Sequence, residues 1–327
     1  MHSPAWRTVA GFAARRRIWL LLLAVWGVMA ACAPHFATGP NTASILKAAA
    51  THLPAAIGLT LVMVAGQLDL SFGSAMSLAG MVTVTLQPKL GWSGAMGVAL
   101  ACGALLGAVN GLLVARARVN SFIATLGTMT IVQGLVNILS RGGTLAVEEF
   151  AAGDWLEGPW LSVLCPRAAL AALLVVAFEL LLQRTRWGRN LLLVGANATT
   201  ARYAGLNAPG YLQAAFTLSG LLAAFGGALF AVSVSSANPL MGESSLMVVI
   251  AAVIIGGTSM QGGRGSVVAS AAAVLALVSL SSGLSCMGAR PEAQMLASGL
   301  VLGASVLYDA WMARAARLRK GSRDARG

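Results

Sequence analysis

The sequence predicts an all-α, polytopic membrane fold of about ten transmembrane helices, and three features carry that prediction. Of the 327 residues, 57% are hydrophobic and only 10% are charged, whereas a soluble domain carries about 25% charged residues. Long apolar runs recur from end to end, and a hydrocarbon core of about 30 Å needs about 20 such residues at about 1.5 Å each. Lys and Arg gather between alternate runs rather than throughout, which is how the positive-inside rule orients a multi-span chain.

Gly, Pro or charge separates the candidate spans, near residues 18–36, 45–66, 73–87, 92–115, 119–139, 167–183, 211–232, 245–257, 265–283 and 292–312. The first follows a basic start and ends in Ala30-Ala31-Cys32, a pattern shared with cleavable signals. Met29 suits a cleavage site poorly, and the charge pattern closes only if this span stays, so it reads as a retained helix. The second leads into GQLDLSFG, residues 66–73, where a chain with ten acidic residues places Asp69 directly behind an apolar run. About 33 Å of helix is used between Ile45 and Gly66, so Asp69 falls at the membrane boundary or in a break near it. Its plain role is to cap the next helix, with Asp69 or Ser71 accepting from free N–H groups. In the fourth span Gly103, Gly107 and Gly111 share a helical face and let another backbone approach, chiefly for packing within the chain.

Between the fifth and sixth spans lies the one sizeable outer loop, from Arg141 to Arg167, with four acids and the aromatics Phe150, Trp155 and Trp160 at headgroup depth. It suits an external partner. Residues 185–213 form a polar loop on the opposite side, longer than a connection needs. Within it Asn197 reads as an N-cap, Gly205 as a C-cap and Pro209 as a stop, giving a short helix off the membrane. The eighth span, SSLMVVIAAVIIGG, is short and followed by TSMQGGRG, so it joins GQLDLSFG as a broken helix buried in protein or lining a wet cavity. Spans two to five and seven to ten are offset by an odd number of crossings, so an internal repeat would be inverted.

With the N-terminus inside, 17 of the 22 Lys and Arg fall on the cytoplasmic side, placing both termini there. The chain then divides into a cytoplasmic segment 1–17, a membrane domain 18–312 with a cytoplasmic loop at about 184–210, and a basic tail 313–327. Its net charge of +12 lacks the basic helix with interleaved aromatics of a nucleic-acid binder. The four cysteines are scattered without a CxxC and there are three histidines, so neither a metal cluster nor a disulfide framework is indicated. No phosphate loop, HExxH or GxSxG occurs. The chain is therefore not expected to be an enzyme or to bind ATP, Mg²⁺ or another cofactor itself. Acids near spans (Asp69, Glu179, Glu292 and Asp309) lie at span ends, which disfavours a proton-coupled carrier.

Four ordered blocks then carry a family resemblance: GLTLVMVAGQLDLSFGSAMSLAGM, SFIATLGTMTIVQG, TRWGRNLLLVGANATTARYAGLN and IAAVIIGGTSMQGGRGSV. Together with the terminal GLVLGASVLYD they resemble the permease subunits of bacterial ribose-type ABC importers, over nearly the whole chain from about residue 45. The resemblance implies an inner-membrane permease, paired as a homodimer or with a closely related subunit. It also implies a separate ATPase that holds ATP and Mg²⁺, and a periplasmic binding protein that delivers a sugar or similar solute. The loop helix, Asn197, Ala198, Thr199, Thr200, Ala201, Arg202, Tyr203, Ala204 and Gly205, becomes the ATPase-coupling helix. Gly66, Asp69, Ser71, Gly73, Gly256 and Gly257 are signature or gate candidates. Asn110, Thr125, Thr128, Gln133 and Asn137 are candidates for lining a pathway, or else for bonding helix to helix. The chain departs from the pattern at Gln67, at Ser121 in place of a proline, at Ala198 and Thr199, and at Leu246 and Val248 in place of an acidic pair. An ATP-independent carrier or channel is the competing reading.

Overall fold

In a computed structural model, residues 6–160, 163–290, 292–297, 299–300 and 303 are described. Eleven helices span Trp6–Cys32 (α1), Gly39–Val64 (α2), Phe72–Ala115 (α3), Ser121–Ser140 (α4), Ala151–Glu157 (α5), Pro166–Arg184 (α6), Arg186–Ala196 (α7), Ala198–Tyr203 (α8), Ala208–Val234 (α9), Met241–Ile255 (α10) and Val267–Cys286 (α11). The fold is all-α apart from two short strands, Leu145–Ala146 (β1) and Ser236–Ala237 (β2), which pair antiparallel. Six of these helices are long and apolar enough to cross a membrane, and Ile18–Cys32 and α10 are shorter apolar helices. The span expected at 292–312 lies largely outside the described residues, so the expected count of ten is not established.

The third and fourth spans run together as α3 but are two limbs. Gly91, at φ 66° and ψ 174°, leaves the helical region between them, a conformation open to glycine because it has no Cβ. The Asn110 Nδ2 donates to Ser71 Oγ at 2.7 Å, whereas a straight helix would hold these residues about 58 Å apart. The limbs therefore fold back on each other, with Pro88 beside the turn.

Both limbs lie along α9, and small residues set the spacing. A methyl on Gly103 would strike Ala224 and the Gly220 carbonyl, one on Gly107 the Phe216 carbonyl, and one on Gly227 the Met76 carbonyl. Apolar surface gains little by leaving lipid for protein, so close backbone approach and dispersion hold such helices together. The expected glycine face of the fourth span is thus internal packing. At the centre of the bundle, 72% of the apolar window of α2 and of α9 is buried, against 22% for α4. Ile123, Ile131, Leu135 and Ile138 of α4 are exposed, as a lipid- or partner-facing helix requires. α1 is part of the bundle, with Trp26 Nε1 donating to Ser279 Oγ of α11 at 2.9 Å and Met29 packed on Gly283.

The two ends of the bundle differ. At one, the outer-loop helix α5 ties α2 to α6: Glu157 pairs with Lys47 at 3.2 Å and with Arg167 at 2.8 Å, and Arg167 donates to Thr51 Oγ1 at 2.9 Å. The opposite end carries α7 and α8. The expected polar loop there is largely helical, because Leu191 and Val194 of α7 are buried on one face while Leu193 and Asn197 stay exposed.

Candidate functional site

Two breaks in the helical bundle converge beside α7. The first, residues 65–71, joins α2 to α3; the second, residues 256–266, joins α10 to α11. Gly263 N donates to the Val64 carbonyl at 2.8 Å, linking one break to the end of the other's helix. α7 fits against both. A methyl on Gly195 would lie on the Val64 carbonyl, one on Gly262 would lie 2.5 Å from the Gly195 carbonyl and 2.8 Å from Gly66, and one on Gly263 would lie 2.7 Å from the Ala196 Cβ. Four glycines from three segments thus make one close junction: a side chain on Gly195, Gly262 or Gly263 would separate the backbones, and Gly66 holds a φ of 76°.

The first break is fastened by side chains from three helices. Asp69 is fully buried; its Oδ1 accepts from Ser71 N at 2.9 Å and from Ser71 Oγ at 2.6 Å, and its Oδ2 accepts from Ser219 Oγ of α9 at 2.8 Å. The bonding continues from Ser71 Oγ through Asn110 to Thr128, whose Oγ1 donates to Asn110 Oδ1 at 2.9 Å. Leu70 N donates to Thr125 Oγ1 at 3.1 Å and Leu68 N to Ser121 Oγ at 3.2 Å. In this way the N–H groups of Leu68, Leu70 and Ser71 are satisfied inside protein, as lipid demands.

Of the two expected capping groups, Asp69 does accept from the free Ser71 N–H at the start of α3, whereas Ser71, the N-cap residue, makes no side-chain cap bond; Asp69 also holds the Ser71 and Ser219 hydroxyls. Asn110, Thr125 and Thr128 come together here as interhelical bonds. Gln133 Nε2 donates to the Pro239 carbonyl at 2.9 Å, away from this network, and Asn137 is exposed on α4. The departure at Ser121 supplies an acceptor that proline lacks.

The second break is built differently. Ser259 N donates to the Arg264 carbonyl and Gly262 N to the Ser259 carbonyl, so its tip is a set of local turns. A methyl on Gly256 would meet the backbone of Ala269 and Ser270, while Gly257 is exposed. Gly73 packs on Gly242 and Leu246 of α10. Sequence reasoning missed Glu179, which reaches from α6 to accept from Val267 N at 2.7 Å and Val268 N at 3.2 Å. A carboxylate at a helix N-terminus satisfies its unpaired donors and opposes its dipole. Ser219, Gly195 and Gly262 were equally hidden, because nothing local marks a residue whose partner is more than a hundred positions away.

α8 matches the expected helix. Asn197 Oδ1 accepts from Thr199 N and Thr200 N, both at 3.0 Å, and Gly205 follows at φ 77°. Ala201 faces inward onto Val194 and Ala208, whereas Ala198, Thr199, Thr200, Arg202 and Ala204 are exposed and Tyr203 is 89% exposed.

Residues 41–306 match the family described as "Branched-chain amino acid transport system / permease component". The chain belongs to this family of permeases. The permease is 32% identical over 315 residues to the ribose import permease protein of Escherichia coli strain K12, covering 93% of this chain and 98% of the relative. It is 34% identical over 319 residues to the L-arabinose transport system permease protein of the same strain, covering 92% and 94%. Against the galactose/methyl galactoside import permease protein of Haemophilus influenzae the identity is 31% over 314 residues, covering 89% and 93%. No solved structure matches. The permease is thus the multi-pass inner-membrane component of a ribose-type ABC importer, in a family whose systems include an ATPase and a periplasmic binding protein.

Proposed function

We propose that this permease carries a neutral sugar or similar polyhydroxylated solute inward, delivered by a periplasmic binding protein and driven by an ATPase docked on α8. The relatives named for ribose, arabinose and galactose support the solute class. The observation that carries the mechanism is the continuity from α8 through α7 to both breaks: a pull on the exposed face of α8 reaches Gly195, and Gly195 touches the Val64 end of α2 and Gly262. Transmission through packed elements requires such direct contact.

In this reading both termini, the 184–210 loop and the 313–327 tail are cytoplasmic, α5 faces the periplasm, and 18–312 is the membrane domain. Two permease subunits, identical or closely related, enclose the pathway. Binding of ATP draws the two α8 helices together and opens the pair outward; hydrolysis resets it. Gly66, Asp69, Ser71 and Gly73 form the fixed side of the gate, and Gly256 and Gly257 the hinge of the other side.

Ala201 and Gly205 are poor reporters of docking, because changing either disturbs α8 itself. Tyr203→Asp alters an exposed side chain instead. The expected result is loss of ATPase co-purification and of uptake, with unchanged thermal stability. Uptake in vesicles by this chain alone, indifferent to ATP depletion, would favour the carrier or channel and overturn the importer reading.

A further inference from the structure

A cavity of about 520 Å³ lies between α2, α10 and α11, within the range of about 300–1,000 Å³ typical of small-molecule sites. Asn41, Ser44 and His52 of α2 and Ser281, Ser282 and Ser285 of α11 supply its polar groups, beside aliphatic residues of the same helices and Val248 of α10. Among the described residues, no Asp, Glu, Lys or Arg lines it. It begins near Asn41, at the α5 end of the bundle, and reaches His52, about 16 Å further along α2.

The polar groups keep unused bonding capacity. Ser282 Oγ donates to Asn41 Oδ1 at 2.8 Å and Ser281 Oγ donates to Gln294 at 2.6 Å, so both hydroxyls retain acceptor lone pairs. Ser285 Oγ accepts from Gln294 at 2.9 Å and keeps its own O–H. His52 also lines the cavity, with its Nδ1 buried out of a ligand's reach.

We infer that this cavity is a solute-binding station on the outer half of the pathway, built for one neutral monosaccharide. The serine hydroxyls pair with sugar hydroxyls, and the aliphatic side chains beside them accept the sugar's C–H groups. A zwitterionic amino acid would bring two charges with no counter-charge in the lining, a costly desolvation. A lipid chain would strand six polar residues. The inference rests on the proposed sugar import and adds the place where the sugar sits.

Cys286 lines the cavity and serves as a native reporter. The full chain in phosphatidylethanolamine–phosphatidylglycerol nanodiscs is alkylated with N-ethylmaleimide, and each cysteine is followed by peptide mass spectrometry with D-ribose, L-arabinose, D-galactose or L-leucine present. At least one sugar should slow Cys286 several-fold, leucine should not, and Cys32 and Cys102 should be unaffected. In cells expressing the permease together with its ATPase and binding protein, Ser281→Ala and Ser282→Ala should each raise the KM for that sugar by about tenfold, the cost of one lost hydrogen bond. ATP-dependent sugar uptake with neither Cys286 protection nor a KM change would overturn the station and leave the importer standing. Protection by leucine, or leucine uptake without sugar uptake, would overturn both.

Discussion

The two breaks meet at one junction yet are held by opposite means. Residues 65–71 are fastened from outside by Ser219, Thr125 and Ser121, with Asn110 behind them, and the carboxylate at the centre is fully buried. Residues 257–264 are folded on themselves, with Met260, Gln261 and Arg264 exposed, and are anchored chiefly near their ends, by Thr258 Oγ1 on Ser270 Oγ, Gly263 N on Val64, Gln183 on Gly265 and Glu179 on α11. A segment bonded to several helices moves only with them. One folded on itself moves as a unit when its anchors shift. In the proposed mechanism the first break is accordingly the fixed joint and the second the moving one.

The largest test of this contrast is Gly195→Val, which drives a branched side chain into the Val64 carbonyl. Overpacking of this kind costs about 1–3 kcal/mol or more, and here it acts on both breaks at once. Thermal unfolding in detergent should show a marked loss, and uptake should fall below detection. Wild-type stability would mean that α7 is not seated between the breaks.

Next comes Asp69→Ala, which leaves three donors without their acceptor inside the bundle. At about 0.6 kcal/mol for the interhelical bond to Ser219 and about 1 kcal/mol for each local bond to Ser71, the loss should total about 2–3 kcal/mol. Asp69→Asn keeps an acceptor oxygen and should lose less than half as much. Should Asp69→Asn abolish uptake while the protein folds and holds its ATPase, the charge itself works in transport and the fixed-joint account fails.

A smaller effect is expected at Glu179→Gln, which keeps the shape but removes the charge at the α11 N-terminus, worth about 0.3–1 kcal/mol. Uptake should suffer more than stability, because this anchor holds the moving break. Smallest of all, Gln261→Ala and Arg264→Ala should shift stability by no more than about 0.5 kcal/mol. If either destabilised the protein as much as Asp69→Ala, the two breaks would be fastened alike and the contrast would collapse.

Much of the fold was legible because single-sequence periodicity reports what each segment does locally. Span boundaries for α2, α4, α6, α9 and α11 fall within several residues of expectation, and Asn197 and Gly205 announced α8, since a cap needs only its own neighbours. α7 escaped because its apolar face is short and broken by Arg186, Arg189 and Asn190, which read as loop. At the candidate site, Asp69 and Ser71 were visible as oddities, but Ser219 and Glu179 look like ordinary span residues until their partners are brought beside them.

The sequence alone therefore determined the solvent and the punctuation. Apolar run length selects a bilayer, Gly and Pro place the breaks, and charge between runs orders the crossings; each is a property of one stretch of chain. Only the tertiary structure decided what the breaks are for. Folding α3 back at Gly91 brings Asn110 to Ser71, crossing α9 behind them brings Ser219 to Asp69, and α7 closes on Gly66 and Gly262. Those pairings join residues up to 150 positions apart. They depend on how closely small residues let helices approach, which no local pattern records.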